Sequence, residues 1–151
     1  MEAYRARCTW KGSTGVGYEE YDRAHSGSAP PAKQELTLTS GEEGRGSPDD
    51  LNPEQLVVLA ASSCQLLWFL HIAARARIDV LEYVDEAEGV MPPDSKPLHI
   101  TEITLRPRVV VRPGPTEDRL RHLTELAHHE CYIANSLRSE VRVEPTFEFR
   151  D

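Results

Sequence analysis

A thiol can attack an electrophile, be oxidised, pair with a second thiol or bind a metal, and this 151-residue chain has three of them. Cys64 lies in the run "ASSCQLLWFL" (61–70), inside a nearly apolar stretch from Leu56 to Ala74. Cys131 follows "AHHE" in "AHHECYIANSL", and Cys8 lies in the opening "MEAYRARCTW". No two of them form a CxxC pair. An odd count without a paired framework suits a reducing cytoplasm better than a secreted disulfide scaffold. Cys131 comes eleven residues after Leu120. Eleven helical steps of about 100° return to the same face, so Cys131 continues an apolar stripe of Leu120, Leu123 and Ala127. Cys64 sits within an apolar helix. Both thiols therefore point into protein interior, where they can meet. Spacing leaves two readings open: inert core cysteines, as most buried free cysteines are, or a redox pair. Cys8 reads as core, on the inward face of a first strand. His128 and His129 beside Cys131 suggest zinc, but adjacent helical side chains diverge by about 100° and cannot both reach one metal with Cys131, so no metal is expected.

The elements that must position these residues follow from the hydrophobic periods. Tyr4, Ala6, Cys8 and Trp10 alternate with Arg5, Arg7, Thr9 and Lys11, which predicts a half-buried strand. "YEEYDRAHS" reads as a second strand and "QELTLTS" as a third, with Leu36 and Leu38 inward. The Gly/Pro-rich "SGEEGRGSPDDLNPE" is a loop into a long helix. Asn52 can cap that helix, with Pro53 at its first position and Glu54 in its first turn, where a carboxylate suits the dipole. The helix is expected to run to about Arg77. "DVLEYVDEAEGVM" predicts a strand. So does the segment in which Ile103, Leu105, Val109 and Val111 alternate with polar residues, where Pro107 favours an edge or a bulge. Thr116 caps a second helix, and Val141, Val143, Phe147 and Phe149 mark a closing strand. The order is that of an α+β domain covering 1–151. His71, seven residues after Cys64, reads as a hydrogen-bonded core histidine. Trp68 and Phe69 are core residues that could also line an apolar pocket beside Cys64.

Composition narrows the function classes. The chain is 39% hydrophobic and 28% charged, too apolar for disorder, with a net charge of −8. An acidic balance argues against nucleic acid or an anionic membrane as the main partner. The N-terminus lacks the apolar core of a signal peptide. Leu56–Ala74 is long enough to consider a membrane span, but Ser62, Ser63, Gln65 and His71 interrupt it, so a helix buried in protein on most sides is expected. One sheet and one short helix cannot cover such a helix. Burial by a second copy of the chain is the economical solution, which predicts a homodimer.

Two strings carry a family resemblance: "NPEQLVVLAASSC" (52–64) and "AHHECYIANSLRSEVRVE" (127–144). With the order of elements, they resemble the OsmC/Ohr family of thiol-dependent hydroperoxide reductases. Asn-Pro-Glu with a cysteine ten residues after the Glu recurs there, as does a second cysteine before a short helix. Tyr132 stands where one version of the family has proline. The resemblance implies a two-layer fold of antiparallel strands around a long buried central helix, in an intertwined homodimer with active sites at the interface. It implies Cys64 as the peroxidatic thiol, Cys131 as the resolving thiol, Glu54 as the active-site carboxylate and Arg23, in "YDRAHS", as the active-site arginine. It further implies an antioxidant peroxidase of the oxidative stress response, acting on organic hydroperoxides or hydrogen peroxide. The reductant would be a dithiol, lipoyl-type in one branch, with no metal or organic cofactor.

Physical chemistry asks for each of these groups. Only the thiolate is nucleophilic, a mid-helix position gives Cys64 little help from the helix dipole, and burial opposes ionisation, so an adjacent cation is required. Arg23 can supply it and stabilise charge on the departing oxygen, with Glu54 orienting the guanidinium through a bidentate pair. Glu54 and Cys64 are ten residues apart, about 15 Å along a straight helix. Either the helix begins after Glu54 or one of the two reaches the site from the partner subunit. The alternative function is a non-catalytic member of the fold that binds a small apolar ligand or serves as an interaction module, with core cysteines only.

Overall fold

In the computed structural model, which describes residues 1–151, the chain divides into two compact units, Met1–Leu56 and Val57–Asp151. The first unit is an antiparallel sheet of β1 (Arg7–Thr9), β2 (His25–Ser28) and β3 (Glu35–Leu38), in that order. Cys8 pairs with Gly27, and Gly27 in turn with Leu36. The expected inward face of the first strand is not formed. β1 is three residues long and exposed throughout, Cys8 included, and Leu36 is 40% exposed. Alternation marks one face as apolar, but a face is buried only if a second layer covers it, and this unit's buried residues are confined to Leu38 and Thr39. The expected second strand also starts late, at His25, because Tyr18–Tyr21 is spent on a turn in which the Tyr21 N–H donates to Gly17 O. After β3 the chain folds back, with the Thr39 N–H on Leu51 O and the Ser47 N–H on Thr39 Oγ1. Gly46 makes the return possible: a Cβ there would lie 1.7 Å from Ser40 O.

Helix α1 (Pro53–Arg75) starts where the sequence indicates. Asn52 Oδ1 accepts from the Gln55 N–H at 2.9 Å and Gln55 Oε1 accepts from the Asn52 N–H at 3.0 Å, a reciprocal capping box. At the other end, the Ile78 N–H returns to Ala73 O and the Arg77 N–H to Ala74 O, so the helix stops two residues short of the expected Arg77.

The second unit holds six strands: β4 (Val80–Asp85), β5 (Glu88–Val90), β6 (Glu102–Leu105), β7 (Pro107–Val111), β8 (Glu140–Val143) and β9 (Thr146–Phe149). They form two sheets, β4-β7-β9 and β5-β6-β8, each with one antiparallel and one parallel pair. The three long strands read from the sequence each divide in two, and the halves belong to different sheets. Pro107 and Pro145 lie at two of the breaks, where the missing N–H interrupts the ladder. At the first crossover Asp85 Oδ1 accepts the Arg106 N–H at 2.6 Å.

Helix α2 (Glu117–Glu130) is capped by Thr116 as expected, Oγ1 accepting from the Arg119 N–H, and α3 (Tyr132–Ser136) follows directly. Leu120, Leu123 and Ala127 form the buried stripe of α2, as its period indicates. One core gathers Phe69, Ala73, Ile78, Val109, Val111 and this stripe; another gathers Ala61, Ile103, Leu105 and Val141. Along α1 the fully buried positions are Ala61, Gln65, Phe69 and Ala73, one per turn. Gln65 ties α1 to α2 through Nε2 on Thr124 O. The rest of the helix is open in the single chain, with Leu59 57%, Leu67 62% and Leu70 37% exposed. By length and composition it would suffice to cross a membrane, with mean hydropathy 1.9 over its most apolar stretch and 22% of that stretch buried. The architecture is α+β, as the order of elements predicts.

Candidate active site

Residues Cys64, Leu67, Trp68 and His71 stand at i, i+3, i+4 and i+7 of α1 and share one face. With Tyr132 from α3 they line a cavity of about 250 Å³. Trp68 is its aromatic floor, edge-on to Tyr132 at 5.4 Å and to His71 at 5.5 Å between ring centres. Phe69 does not line it. One helical step turns Phe69 onto the buried stripe, where it is 0% exposed and packs in the core with Tyr83 against it. His71 is exposed and borders the cavity instead of lying in the core.

Cys131 ends α2 and begins α3. Its N–H donates to His128 O, its backbone turns extended (φ −62, ψ 111), and it is 1% exposed. Cys64 is half-buried, and both thiols are free. Burial pushes the Cys131 thiol up to about 11, and Cys64 adds to this both as a hydrogen-bonding neighbour and as a charge. The backbone N–H groups of Ala134 and Ile133 act in the opposite sense, without forming a regular cap bond. The two thiols are thus immediate neighbours, one reachable from a cavity and the other behind it.

Two further groups adjoin this arrangement. Ser62, one turn-half before Cys64, donates from Oγ to Asp85 Oδ2 at 2.5 Å and pins α1 to β4. The Tyr83 hydroxyl is buried without a partner, and burial first, then Asp85, then Cys131 hold it protonated.

The first unit carries the charged groups. Arg23, Glu54, Tyr21, His25, Thr39 and Trp10 are among the residues lining a cavity of about 480 Å³. Arg23 Nη1 donates to Tyr21 O at 2.5 Å and Nη2 to Tyr18 O at 2.6 Å, and the guanidinium lies 3.6 Å over the Tyr21 ring. Its Nε is buried and unpartnered. Glu54 borders the same cavity, but the expected bidentate pair is absent: the partners of Arg23 are neutral carbonyls and π faces. A guanidinium fixed by neutral groups keeps its charge for an incoming anion. Glu54 lies within α1, so of the two placements open from the sequence, a helix starting after Glu54 is ruled out.

Leu67 and Tyr132 are site residues that sequence reading passed over. The i+3 spacing from Cys64 could have found Leu67. Tyr132 could have been found as the residue that follows Cys131 into α3. The stacking of Arg23 on Tyr18 and Tyr21 has no sequence signature beyond proximity.

A helix-borne thiol at a cavity thus neighbours a buried thiol at a helix junction, in an α+β fold with paired three-stranded sheets. The OsmC-like protein profile matches residues 45–146, two thirds of the sequence, and the chain belongs to that family. No curated protein matches it by sequence. A solved OsmC-like protein of unknown function from Vibrio cholerae is 32% identical, with a TM-score of 0.88 over 97% of this chain and 100% of that one. An organic hydroperoxide resistance protein from Elizabethkingia anophelis shares the fold at 20% identity, with a TM-score of 0.72 over 99% and 98% of the two chains. Another from Legionella pneumophila does so at 17% identity, with a TM-score of 0.68 over 98% of each.

Proposed function

We propose that the protein is a thiol peroxidase that reduces organic hydroperoxides, and hydrogen peroxide to a lesser degree, as one functional domain in the cytoplasm. The observation that carries this reading is the juxtaposition of Cys64, at an apolar cavity, with the buried Cys131. The Cys64 thiolate attacks the terminal peroxide oxygen. The O–O bond breaks, the alkoxide takes a proton and leaves as alcohol, and Cys64 becomes a sulfenic acid. The Cys131 thiol then displaces hydroxide from that sulfur, giving water and a Cys64–Cys131 disulfide. A dithiol, lipoyl-type or other, reduces the disulfide and is itself oxidised. Trp68, Leu67 and Tyr132 receive the alkyl part.

No arginine or lysine lines the Cys64 cavity, and a half-buried thiolate needs a cation. In this reading Arg23 and Glu54 come from the partner subunit of a homodimer. The open apolar face of α1, with Leu59 and Leu70, supports a second copy as its cover. The names of two structural relatives as organic hydroperoxide resistance proteins agree with the activity. The test is a thiol count after one equivalent of cumene hydroperoxide. Loss of two of the three thiols per chain is expected; retention of all three would refute the reading.

A further inference from the structure

We propose that a second cavity, at the C-terminal end of α1, binds a small multivalent oxyanion through Arg77, Arg112 and Arg119. This cavity measures about 350 Å³ and is also lined by Asp79, Gly114 and Pro115. Three guanidiniums meet one carboxylate there, and Asp79 is already engaged by Arg112 Nε at 2.8 Å. Arg77 and Arg119 have no carboxylate partner and no side-chain hydrogen bond. In a chain with 25 acidic and 17 basic residues, two arginines without a carboxylate partner border one cavity. Elsewhere in this unit Arg106, Arg108, Arg121, Arg142 and Arg150 find glutamates, while Arg75 and Arg138 do not.

The backbone supplies an independent observation. Arg77 occupies the position just past the helix end, with φ +60, where the two returning hydrogen bonds to Ala73 and Ala74 close the helix. That left-handed conformation selects glycine, because a Cβ is disfavoured there. An arginine is present instead, and its side chain borders the cavity. The other arginine with positive φ, Arg45, has a partner for its side chain in Glu19; the partner of Arg77 is missing. Strain held at a residue with an unused functional group is the pattern of a binding position. The Pro113-Gly114-Pro115 turn follows Arg112 directly, and Arg119 lies in the first turn of α2; both border the same cavity as Arg77. Guanidinium forks match phosphate and carboxylate oxygens two at a time, so a ligand with several such oxygens satisfies both free arginines at once.

The inference is independent of the thiol chemistry and is tested on the full chain by thermal melting. Sodium pyrophosphate, compared with sodium chloride at equal ionic strength, should raise the melting temperature saturably, by about 5 °C or more at a hundredfold excess over Kd. Arg77→Gly should melt at or above wild type without pyrophosphate, since strain is relieved, and should lose most of the pyrophosphate shift. Arg119→Gln, at an exposed position, should lose it too and keeps the test valid if Arg77→Gly folds poorly. A saturable shift by citrate, lost in the same variants, supports the site with carboxylates as its ligands. A pyrophosphate shift equal to that of sodium chloride, or one retained in Arg119→Gln, overturns the proposal.

Discussion

The two cavities that hold the residues singled out from the sequence differ in chemistry. The cavity of the first unit has a fixed, unneutralised guanidinium and a carboxylate but no thiol. The cavity on α1 has a reachable thiol with a second thiol behind it, but no cation. A half-buried guanidinium without a counter-ion keeps its charge for an anion, and a thiol without a cation stays a weak nucleophile. On the peroxidase reading proposed above, the difference means that neither cavity suffices alone, and it yields experiments that separate their contributions.

The largest effect is expected on the thiol side. Cys64→Ser should reduce peroxide consumption to background, while Cys8→Ser, at an exposed strand position, should leave it nearly intact. Retained turnover in Cys64→Ser would end the peroxidase reading.

The charged side should be weaker but decisive for assembly. Arg23→Ala should slow the first oxidation step by roughly a hundredfold, the usual cost of one charge-stabilising donor. If the site is composite, equal mixing of Cys64→Ser and Arg23→Ala chains with subunit exchange should restore about a quarter of wild-type activity, because half the dimers hold one intact site. Activity that stays at the mean of the two variants would place both groups in one subunit. The same samples in sedimentation should be dimeric at micromolar concentration; a stable folded monomer would remove the partner from the scheme.

The sequence showed the charge-bearing and thiol-bearing residues unequally well. Cys131 was legible because the stripe of α2 carries into it, and the start of α1 was legible because Asn52, Pro53 and Gln55 act locally. Phe69 is core as read, but it cannot also line the pocket, because adjacency to Trp68 in sequence is a step of about 100° around the helix. Cys8 was misplaced because periodicity reports an apolar face and not whether another layer covers it. The exchange of strands between two sheets at Arg106 was hidden, since a bulge and a crossover share the same proline signal. The missing Arg23–Glu54 pair was out of reach for a different reason: backbone carbonyls of Tyr18 and Tyr21 compete for the guanidinium, and that geometry is tertiary.

The role of Cys131 can be separated from that of Cys64 by mass. Cys131→Ser should still react once with peroxide, because the attacking thiol is intact. With no thiol to condense with, its sulfenic acid should take up a second oxygen. Intact mass should fall by about two units in the wild type, as a disulfide forms, and rise by one or two oxygens in the variant. Equal oxygen gain in both would show that the two thiols do not pair.

The smallest effect is thermodynamic and concerns the interior thiol alone. Cys131 has its ordinary value near 9 raised to about 11, with burial as the main cause and Cys64 second among those that raise it. Cys64 on α1 is the titratable group that raises it, and burial, Asp85 and then Cys131 in turn hold the Tyr83 hydroxyl of β4 protonated. Because the folded state holds this proton more tightly than the unfolded chain does, the stabilisation is fully present below pH 9. It is lost as pH rises through the folded value, between about 9 and 11. Unfolding free energies from urea titrations across that window should therefore fall faster in wild type than in Cys131→Ala, by an amount on the order of 2 kcal/mol at the upper end. Lysine titrations are common to both proteins and cancel in the difference; Tyr83, which Cys131 also raises, adds to the wild-type loss in the same direction. Arg23→Ala should follow wild type in this window, since its cation is not among the groups that shift Cys131. Parallel curves for wild type and Cys131→Ala would mean that the second thiol is not held in the interior as the structure places it, and with it would go the case for a protected resolving thiol.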